Sequence, residues 1–303
     1  MKPSRQFLTY ATTSLLAVLL ILGFNTANAD ESKLEQALKV FNQDEVKGYI
    51  QPLGDFFGAN MSAGWYHSAA IPQMGFNLSV NIVAMGSVVG DDHKVYTTSA
   101  PAGYNPGTFQ TATVFGDKKT IVTDQATGLA YSGVADGALN TTMFPLATLQ
   151  LHIGSFYGTE VVLRGFPIPQ VSGAPKITFF GLGARHSVSQ YLVEFPVDIA
   201  AGIFWNTITF GDLIDMKSFA IGAQASKSFA ALEVYGGFAY EKSSMDVTYT
   251  AAAGGGNVSI SLDGVNTFRG TIGLGLNLTI LHLYGDVNLG SVTNFSAGLG
   301  FGF

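Results

Sequence analysis

The feature that most constrains this chain is a long alternation of apolar with small or polar residues near its carboxyl end. Between Phe268 and Ile280 the even positions are apolar apart from Gly270, and the odd positions carry Arg, Thr, Gly and Asn. Side chains of a β-strand return to the same face every two residues, whereas those of a helix return every 3.6. This run therefore predicts a strand with one apolar face.

Weaker versions of the same alternation recur along the chain after Met61. They predict strands at 61–70, 74–88, 147–154, 158–165, 176–187, 196–209, 216–229, 231–245, 266–280, 281–290 and 293–303, and one more in the region 108–123. The connections at 227–231 and 280–282 are short enough for tight turns between antiparallel neighbours. The sequence predicts an all-β fold, an antiparallel up-and-down transmembrane β-barrel of about 12 strands, with 10 or 14 as alternatives. A secreted β-sandwich is the competing interpretation, because it also uses short alternating strands.

The composition fits a sheet with one face in lipid. Hydrophobic residues make up 47% of the chain and charged residues only 12%, with 37 glycines. The longest apolar run, 15–22, is shorter than the roughly 20 residues of a membrane-spanning helix, so a membrane form must cross with strands. The chain has no cysteine, which excludes disulfides and thiolate metal sites. Its net charge of −6 argues against a nucleic-acid partner.

Residues 1–29 read as a secretion signal peptide. Lys2 and Arg5 precede the apolar run 15–24, and Ala27-Asn28-Ala29 has the small residues of a cleavage site. An uncleaved anchor is the alternative.

Residues 30–57 are predicted to form a short amphipathic helix or plug. Leu34, Leu38 and Phe41 fall on one helical stripe, and Pro52 is expected to end or bend the helix. Such a helix could plug the barrel lumen, lie in the periplasm or pack under the barrel. A poorly ordered leader is the alternative, because chain termini are often loose.

Residues 58–303 are assigned to the barrel. Two stretches are predicted to be long loops. The one near 90–145 is rich in Gly, Asp, Thr and Ala, and the one at 246–264 contains a run of three Ala and three Gly. Bacterial barrels keep short turns on the periplasmic side and long loops outside, so both are expected to be extracellular.

The last residues of the chain form an aromatic, alternating strand. Its apolar positions are Phe295, Ala297, Leu299, Phe301 and Phe303, and small residues lie between them. This pattern resembles the membrane-insertion signal of bacterial outer-membrane barrels. The resemblance implies location in the bacterial outer membrane, with the lipid bilayer as surroundings and the barrel-assembly machinery as a partner during biogenesis.

Two motifs follow the predicted helix, Tyr49-Ile50-Gln51-Pro52-Leu53 and Gly64-Trp65-Tyr66. With that helix they resemble an uncharacterised family of bacterial outer-membrane proteins. The architecture, a short N-terminal segment before an antiparallel barrel, is also similar to the long-chain fatty-acid transporter class. No residue pattern carries over a ligand site from that class.

Several charged residues fall on the predicted lumen face of their strands. They are Arg185, Asp198, Glu233, Glu241, Arg269 and Asp286. The lipid face disfavours Arg or Lys by about 2–4 kcal/mol, so an inward position is expected. These charges either line a pore and set its ion preference, or Arg185 and Arg269 pair with acids inside a closed lumen.

The predicted function is a passive channel or transporter for small or hydrophobic solutes, plugged by the N-terminal helix. The alternative is a structural or assembly barrel with a filled lumen that binds partners through its long loops. An interfacial enzyme built on His186 or His282 is a third hypothesis. The chain has no HExxH, GxSxG or phosphate-loop motif, so no catalytic residue, metal or cofactor is predicted.

Overall fold

Antiparallel strands close into a barrel in the part of the chain that the computed structural model describes, which is Leu34, Leu38, Phe41 and residues 43–166, 176–250 and 257–302. In chain order the strands are β1 Met74–Val88, β2 Val95–Ser99, β3 Tyr104–Asn105, β4 Thr108–Ala112, β5 Thr123–Asp124, β6 Met143–Phe156, β7 Thr159–Phe166, β8 Ile177–Ser187, β9 Asp198–Phe210, β10 Ile214–Phe229, β11 Leu232–Thr250, β12 Asn257–Asp263, β13 Phe268–Leu278, β14 Leu281–Leu289 and β15 Asn294–Gly302. Residues 1–29 and Phe303 lie outside the described residues, and so do the predictions made for them.

The barrel consists of ten strands within the described residues: β1, β6 to β11 and β13 to β15. Each pairs antiparallel with its neighbours, β1 joins β15, and the pairing of β10 with both β9 and β11 completes the closure. The fold class is therefore confirmed. The strand number is ten, one of the two alternatives, and the preferred number of 12 is wrong.

The two faces of the wall follow the predicted alternation. On β13, Ile272 and Leu274 are 68% and 57% exposed on the outside, whereas Arg269 and Thr271 are buried inside. The outer apolar residues form the band expected to meet lipid, and the inner ones line the lumen.

The two ends of the barrel differ in their connections. At one end, β6–β7, β10–β11 and β13–β14 are joined by two-residue turns, and β8–β9 by the ten residues 188–197. Tyr157, Ala230 and Thr279 in these turns have left-handed φ values of 47°, 54° and 59°, as tight hairpins require. We call this the short-turn end. Residues 89–142 leave the barrel at the opposite, long-loop end.

The helix α1 spans Gln43–Ser62 and continues ten residues beyond Pro52. The prediction that this proline could end the helix is wrong. An interior proline costs about 3 kcal/mol. The buried side chains of Phe56 and Phe57 offset that cost, at about 1.5–3 kcal/mol for each large apolar side chain. Among the described residues, no helix is long and apolar enough to cross a membrane.

The strand predicted at 61–70 is absent. Met61 and Ser62 close α1, and residues 63–73 follow an irregular path. Trp65 and Tyr66 are consecutive and both buried. Because Trp65 and Tyr66 pack against protein, the apolar residues of this stretch do not mark a lipid-facing side.

Residues 89–142 fold into a small unit that we call the cap. Here β2 pairs with β4 and β3 with β5, outside the barrel, so the barrel strand predicted at 108–123 is wrong. Phe109, Val122 and Val134 form a core of the cap's own. Their burial within the loop explains why this stretch alternates without belonging to the wall.

The region 246–264 is a hairpin and not the predicted long loop. β11 runs to Thr250 and pairs with β12 beyond its pairing with β13. Val247 and Ile260 are cross-strand partners and both are buried. This inward packing extends the sheet above the barrel wall; residues 251–256 are outside the described residues.

Candidate functional site in the barrel lumen

Residues 43–73, which we call the plug segment, run from the cap into the lumen and through it. Near the long-loop end, Asn60 Nδ2 donates to the carbonyl oxygen of Phe144, the second residue of β6, at 2.8 Å. Near the short-turn end, the hydroxyl of Ser155 donates to the carbonyl oxygen of Pro72. The plug segment thus enters at the long-loop end and crosses the whole lumen before β1 begins.

The upper part of the lumen is filled by phenylalanine rings, which we call the aromatic seal. Phe57 lies 4.6 Å from Phe144 and 5.4 Å from Phe210, centroid to centroid. Phe56 lies 5.0 Å from Phe115 of the cap. Edge-to-face pairs of this kind each add about 0.5–1.5 kcal/mol beyond area burial. The seal joins α1, the cap and two barrel strands.

Below the seal, Trp65 is held between two wall residues. Its ring stacks on Phe204 at 4.6 Å, and the guanidinium carbon of Arg164 lies 3.7 Å from its centroid. A Cβ added at Gly183 would lie 2.6 Å from Phe204 Cδ1 and 3.1 Å from Trp65 Cζ3. This close approach requires glycine on the wall beside the plug segment.

Wall side chains also bind the backbone of the plug segment. Two carbonyl oxygens each accept two such hydrogen bonds. Met61 O accepts from Arg164 Nη1 and Asn206 Nδ2 at 3.0 and 2.9 Å, and Ser68 O accepts from Arg185 Nη1 and Gln224 Nε2 at 2.8 and 2.7 Å. Carbonyl groups at the end of a helix, such as that of Met61, or in an irregular buried stretch, such as that of Ser68, need such partners.

A buried ionic cluster lies beside the lower plug segment. Arg185 donates from Nη2 and Nε to Glu160 Oε1 at 2.6 and 3.0 Å, and His152 Nδ1 lies 2.8 Å from the same oxygen. Gln150 accepts from Arg164 and contacts His152. Removing one partner would leave a buried charge uncompensated, which is strongly destabilising.

Among the six lumen charges predicted from the sequence, one pair is joined within the described residues. Arg269 Nη1 lies 3.2 Å from Glu241 Oε2, and both side chains are 2% exposed. Arg185 pairs instead with Glu160. Both arginines therefore face acids inside a filled lumen, as in the closed-lumen interpretation.

The other three predicted charges are acids, and in the described ion pairs none of them is joined to Arg185 or Arg269. Glu233 accepts a hydrogen bond from Asn277 Nδ2 at 2.7 Å. Asp286 accepts one from Tyr235 at 2.9 Å. Asp198 is half-buried at the start of β9, at the short-turn end. Asn277 lies on the strand next to that of Glu233, whereas Tyr235 of β11 reaches Asp286 of β14 across β13.

The sequence did not single out four polar residues of the buried cluster, which are Gln150, His152, Glu160 and Arg164. An inward position could have been predicted for them, because all four occupy even positions of the strands predicted at 147–154 and 158–165. The alternation places them on one face, yet the face alone does not reveal which residues meet.

The residues of the C-terminal pattern lie on the outer face of β15. Phe295 and Phe301 are 43% and 55% exposed, and Ala297 and Leu299 share their side of the sheet. Phe303 is outside the described residues.

The two histidines considered for catalysis lie in different surroundings. His186 Nδ1 is 2.8 Å from Thr159 Oγ1, and its Nε2 is 3.0 Å from the Tyr191 hydroxyl. His282 Nδ1 is 3.0 Å from Asn277 Oδ1. Among the described hydrogen bonds, neither ring joins a hydroxyl to an orienting carboxylate, as a catalytic triad requires.

A family model matches residues 7–303, nearly the whole chain. The chain belongs to the family of unknown function DUF6588. The prediction that the chain belongs to an uncharacterised family is thus confirmed. The resemblance to the fatty-acid transporter class stays a prediction. A search of curated proteins finds no match.

Several solved structures share similarity with this DUF6588 protein. The translocator domain of the autotransporter NalP from Neisseria meningitidis matches with a TM-score of 0.34 and 12% identity, over 86% of this chain and 98% of that one. Ail of Yersinia pestis, solved with a heparin analogue, matches with 0.27 and 12%, over 76% and 100%. A loop-deletion mutant of OmpT, an outer-membrane protein of Vibrio cholerae, matches with 0.26 and 12%. That match covers 52% of this chain and only 54% of OmpT. The fold assignment rests on the strand pairing of the chain itself.

Proposed function

We propose that this DUF6588 protein is a bacterial outer-membrane barrel that forms a passive path for small solutes. The plug segment closes the path at rest and opens it by moving. The observation that carries the proposal is the contact between wall and plug below the aromatic seal, where side chains bind the carbonyl oxygens of Met61 and Ser68. Water can replace such bonds at a net cost of about 0.5–1.5 kcal/mol each. Water can therefore take the place of these hydrogen bonds when the plug segment leaves the wall.

The polar lining supports a hydrated path. Within the described residues, several buried polar atoms have no protein hydrogen-bond partner. They are the hydroxyls of Tyr66 and Tyr284, Gln224 Oε1 and Glu233 Oε1. A dry lumen would cost about 1–3 kcal/mol for each, so water is expected to share the lumen with the plug segment. This favours small polar solutes over hydrophobic ones.

A reversible lock tests the proposal. A Cβ built on Gly54 of α1 lies 3.5 Å from Met245 Cβ of β11, within the range of a disulfide. The chain has no cysteine of its own, so Gly54→Cys with Met245→Cys creates one defined crosslink. In planar bilayers we expect brief, infrequent openings from the reduced double variant, none from the oxidised one, and their return on reduction.

The single variant Gly54→Cys is the matched control, and oxidant should leave its openings unchanged. Steady current through the oxidised double variant would show that solutes do not pass beside α1, and the proposal would fail. Silence in both redox states, with a folded barrel shown by heat-dependent gel migration, would also contradict it.

The aromatic seal favours a second candidate, a barrel with a permanently filled lumen that serves as an anchor. Phe56 and Phe57 are 0% and 4% exposed and contact the cap and the wall together. Such packing gives no exchangeable surface at the long-loop end. In this case partners would bind the cap, and the double cysteine variant would carry no current in either its oxidised or its reduced form.

A further inference from the structure

We infer that the chain preceding α1 is displayed outside the cell, so that the barrel carries its own N-terminal segment across the outer membrane. The inference rests on the outer-membrane location proposed above and not on conduction. The argument combines the direction of the plug segment, the anchoring of its first turns and the sidedness of the barrel.

The direction follows from the order in which the plug segment meets the wall. Asn60 binds Phe144 at the long-loop end, Met61 and Ser68 bind wall residues in the lumen, and Pro72 meets the short-turn end. Residues with lower numbers therefore lie towards the long loops. An N-terminal segment that plugged the barrel from below would show the opposite order.

The first turns of α1 are fixed to the cap. Tyr49 O accepts from the backbone N–H of Val114 at 2.9 Å, and the Tyr49 hydroxyl donates to Asp136 O at 2.9 Å. Tyr131 of the cap donates to Glu45.

Phe41, a described residue upstream of α1, stays at the same end. Its ring lies 4.9 Å from that of Tyr49, centroid to centroid. The chain at Phe41 is thus held beside the cap and does not turn back into the lumen there.

Chain length permits the crossing without a helix in the lower lumen. Residues 63–73, fully extended, could span at most about 40 Å. The apolar band of an outer-membrane barrel is about 25 Å tall. The irregular half of the plug segment can therefore connect the top of the lumen to the first residue of β1.

Sidedness then places the start of the plug segment outside. Bacterial barrels keep their short turns in the periplasm and their long loops on the cell surface. The cap leaves the long-loop end, and Lys47 of α1 is exposed there. Because the chain enters the periplasm during export, the N-terminal segment must pass through the barrel during assembly.

Cysteine labelling of whole cells tests the inference. Three single variants carry the only cysteine of the chain: Lys47→Cys in α1, Asp92→Cys in the cap and Ser228→Cys near the β10–β11 turn, all at exposed positions. The probe is a polymer-linked maleimide too large to cross the outer membrane. We expect Lys47→Cys and Asp92→Cys to label equally in intact cells, and Ser228→Cys to label only after lysis. Labelling of lysed, unfolded protein checks that each thiol reacts.

Each other result has one meaning. If Asp92→Cys labels in intact cells and Lys47→Cys does not, display is overturned while the outer-membrane location stands. If no variant labels before lysis, the location itself fails. If Ser228→Cys alone labels, the barrel is inserted the other way round and the N-terminal segment is not displayed.

Discussion

At the scale of single residues, a glycine on the wall sets how closely the plug segment can approach. Gly183 leaves space for Phe204 and Trp65, whose rings would meet any added Cβ. We expect Gly183→Ala to push Trp65 off the wall and lower the free energy of unfolding by about 1–3 kcal/mol, as overpacking does. Urea titration in lipid vesicles measures the loss of unfolding free energy. We also expect the channel to open more often, which single-channel recording measures.

The matched control is Gly270→Ala, because no atom lies within 4 Å of a Cβ built there. Both residues are wall glycines and both variants add one methyl group. Equal effects of the two substitutions on stability and on openings would refute the role given to Gly183.

The partners of individual lumen charges could not be predicted from the sequence. Arg269 was predicted to face the lumen, but its contact with Glu241 depends on the register that sets Arg269 opposite Ala239. The alternation of one strand contains no information on the register of the next. The pairing of Arg185 with Glu160 was missed for the same reason.

At the scale of elements, alternation was a good guide wherever one face of a strand meets lipid. β13 matched its prediction because its outer residues must be apolar. The guide failed at residues 63–73 and in β4, where the apolar side chains are buried against protein inside the lumen or in the cap. The length of α1 was also missed, since the packing that extends it beyond Pro52 comes from residues distant in sequence.

The outer face of β13 offers a test of that reasoning. We expect Leu274→Arg to lower the free energy of unfolding by about 2–4 kcal/mol, because the guanidinium would lie in the apolar band. Leu129→Arg in the cap is the control, since this leucine is 66% exposed outside the barrel and should change stability by no more than about 0.5 kcal/mol. Urea titration in vesicles compares the two. An equal response would mean that β13 does not face lipid.

At the scale of the whole molecule, the central claim is that the chain closes its own barrel. Ten strands enclose a narrow lumen, α1 and the aromatic seal fill its upper part, and polar contacts fill the rest. The sequence predicted the barrel and suggested a plug. The plug's route from the long-loop end could not be foreseen, because it depends on contacts of α1 with the cap and with barrel strands distant in sequence.

Single-channel recording of the native protein beside a variant that lacks residues 30–70 tests this claim most directly. The deletion removes α1 and the stretch with Trp65 and Ser68, and it retains every barrel strand. We predict a native barrel that stays closed for most of the record and a shortened barrel that conducts continuously, both folded by heat-dependent gel migration. A native protein with steady current, or a folded shortened protein that is silent, would contradict the account.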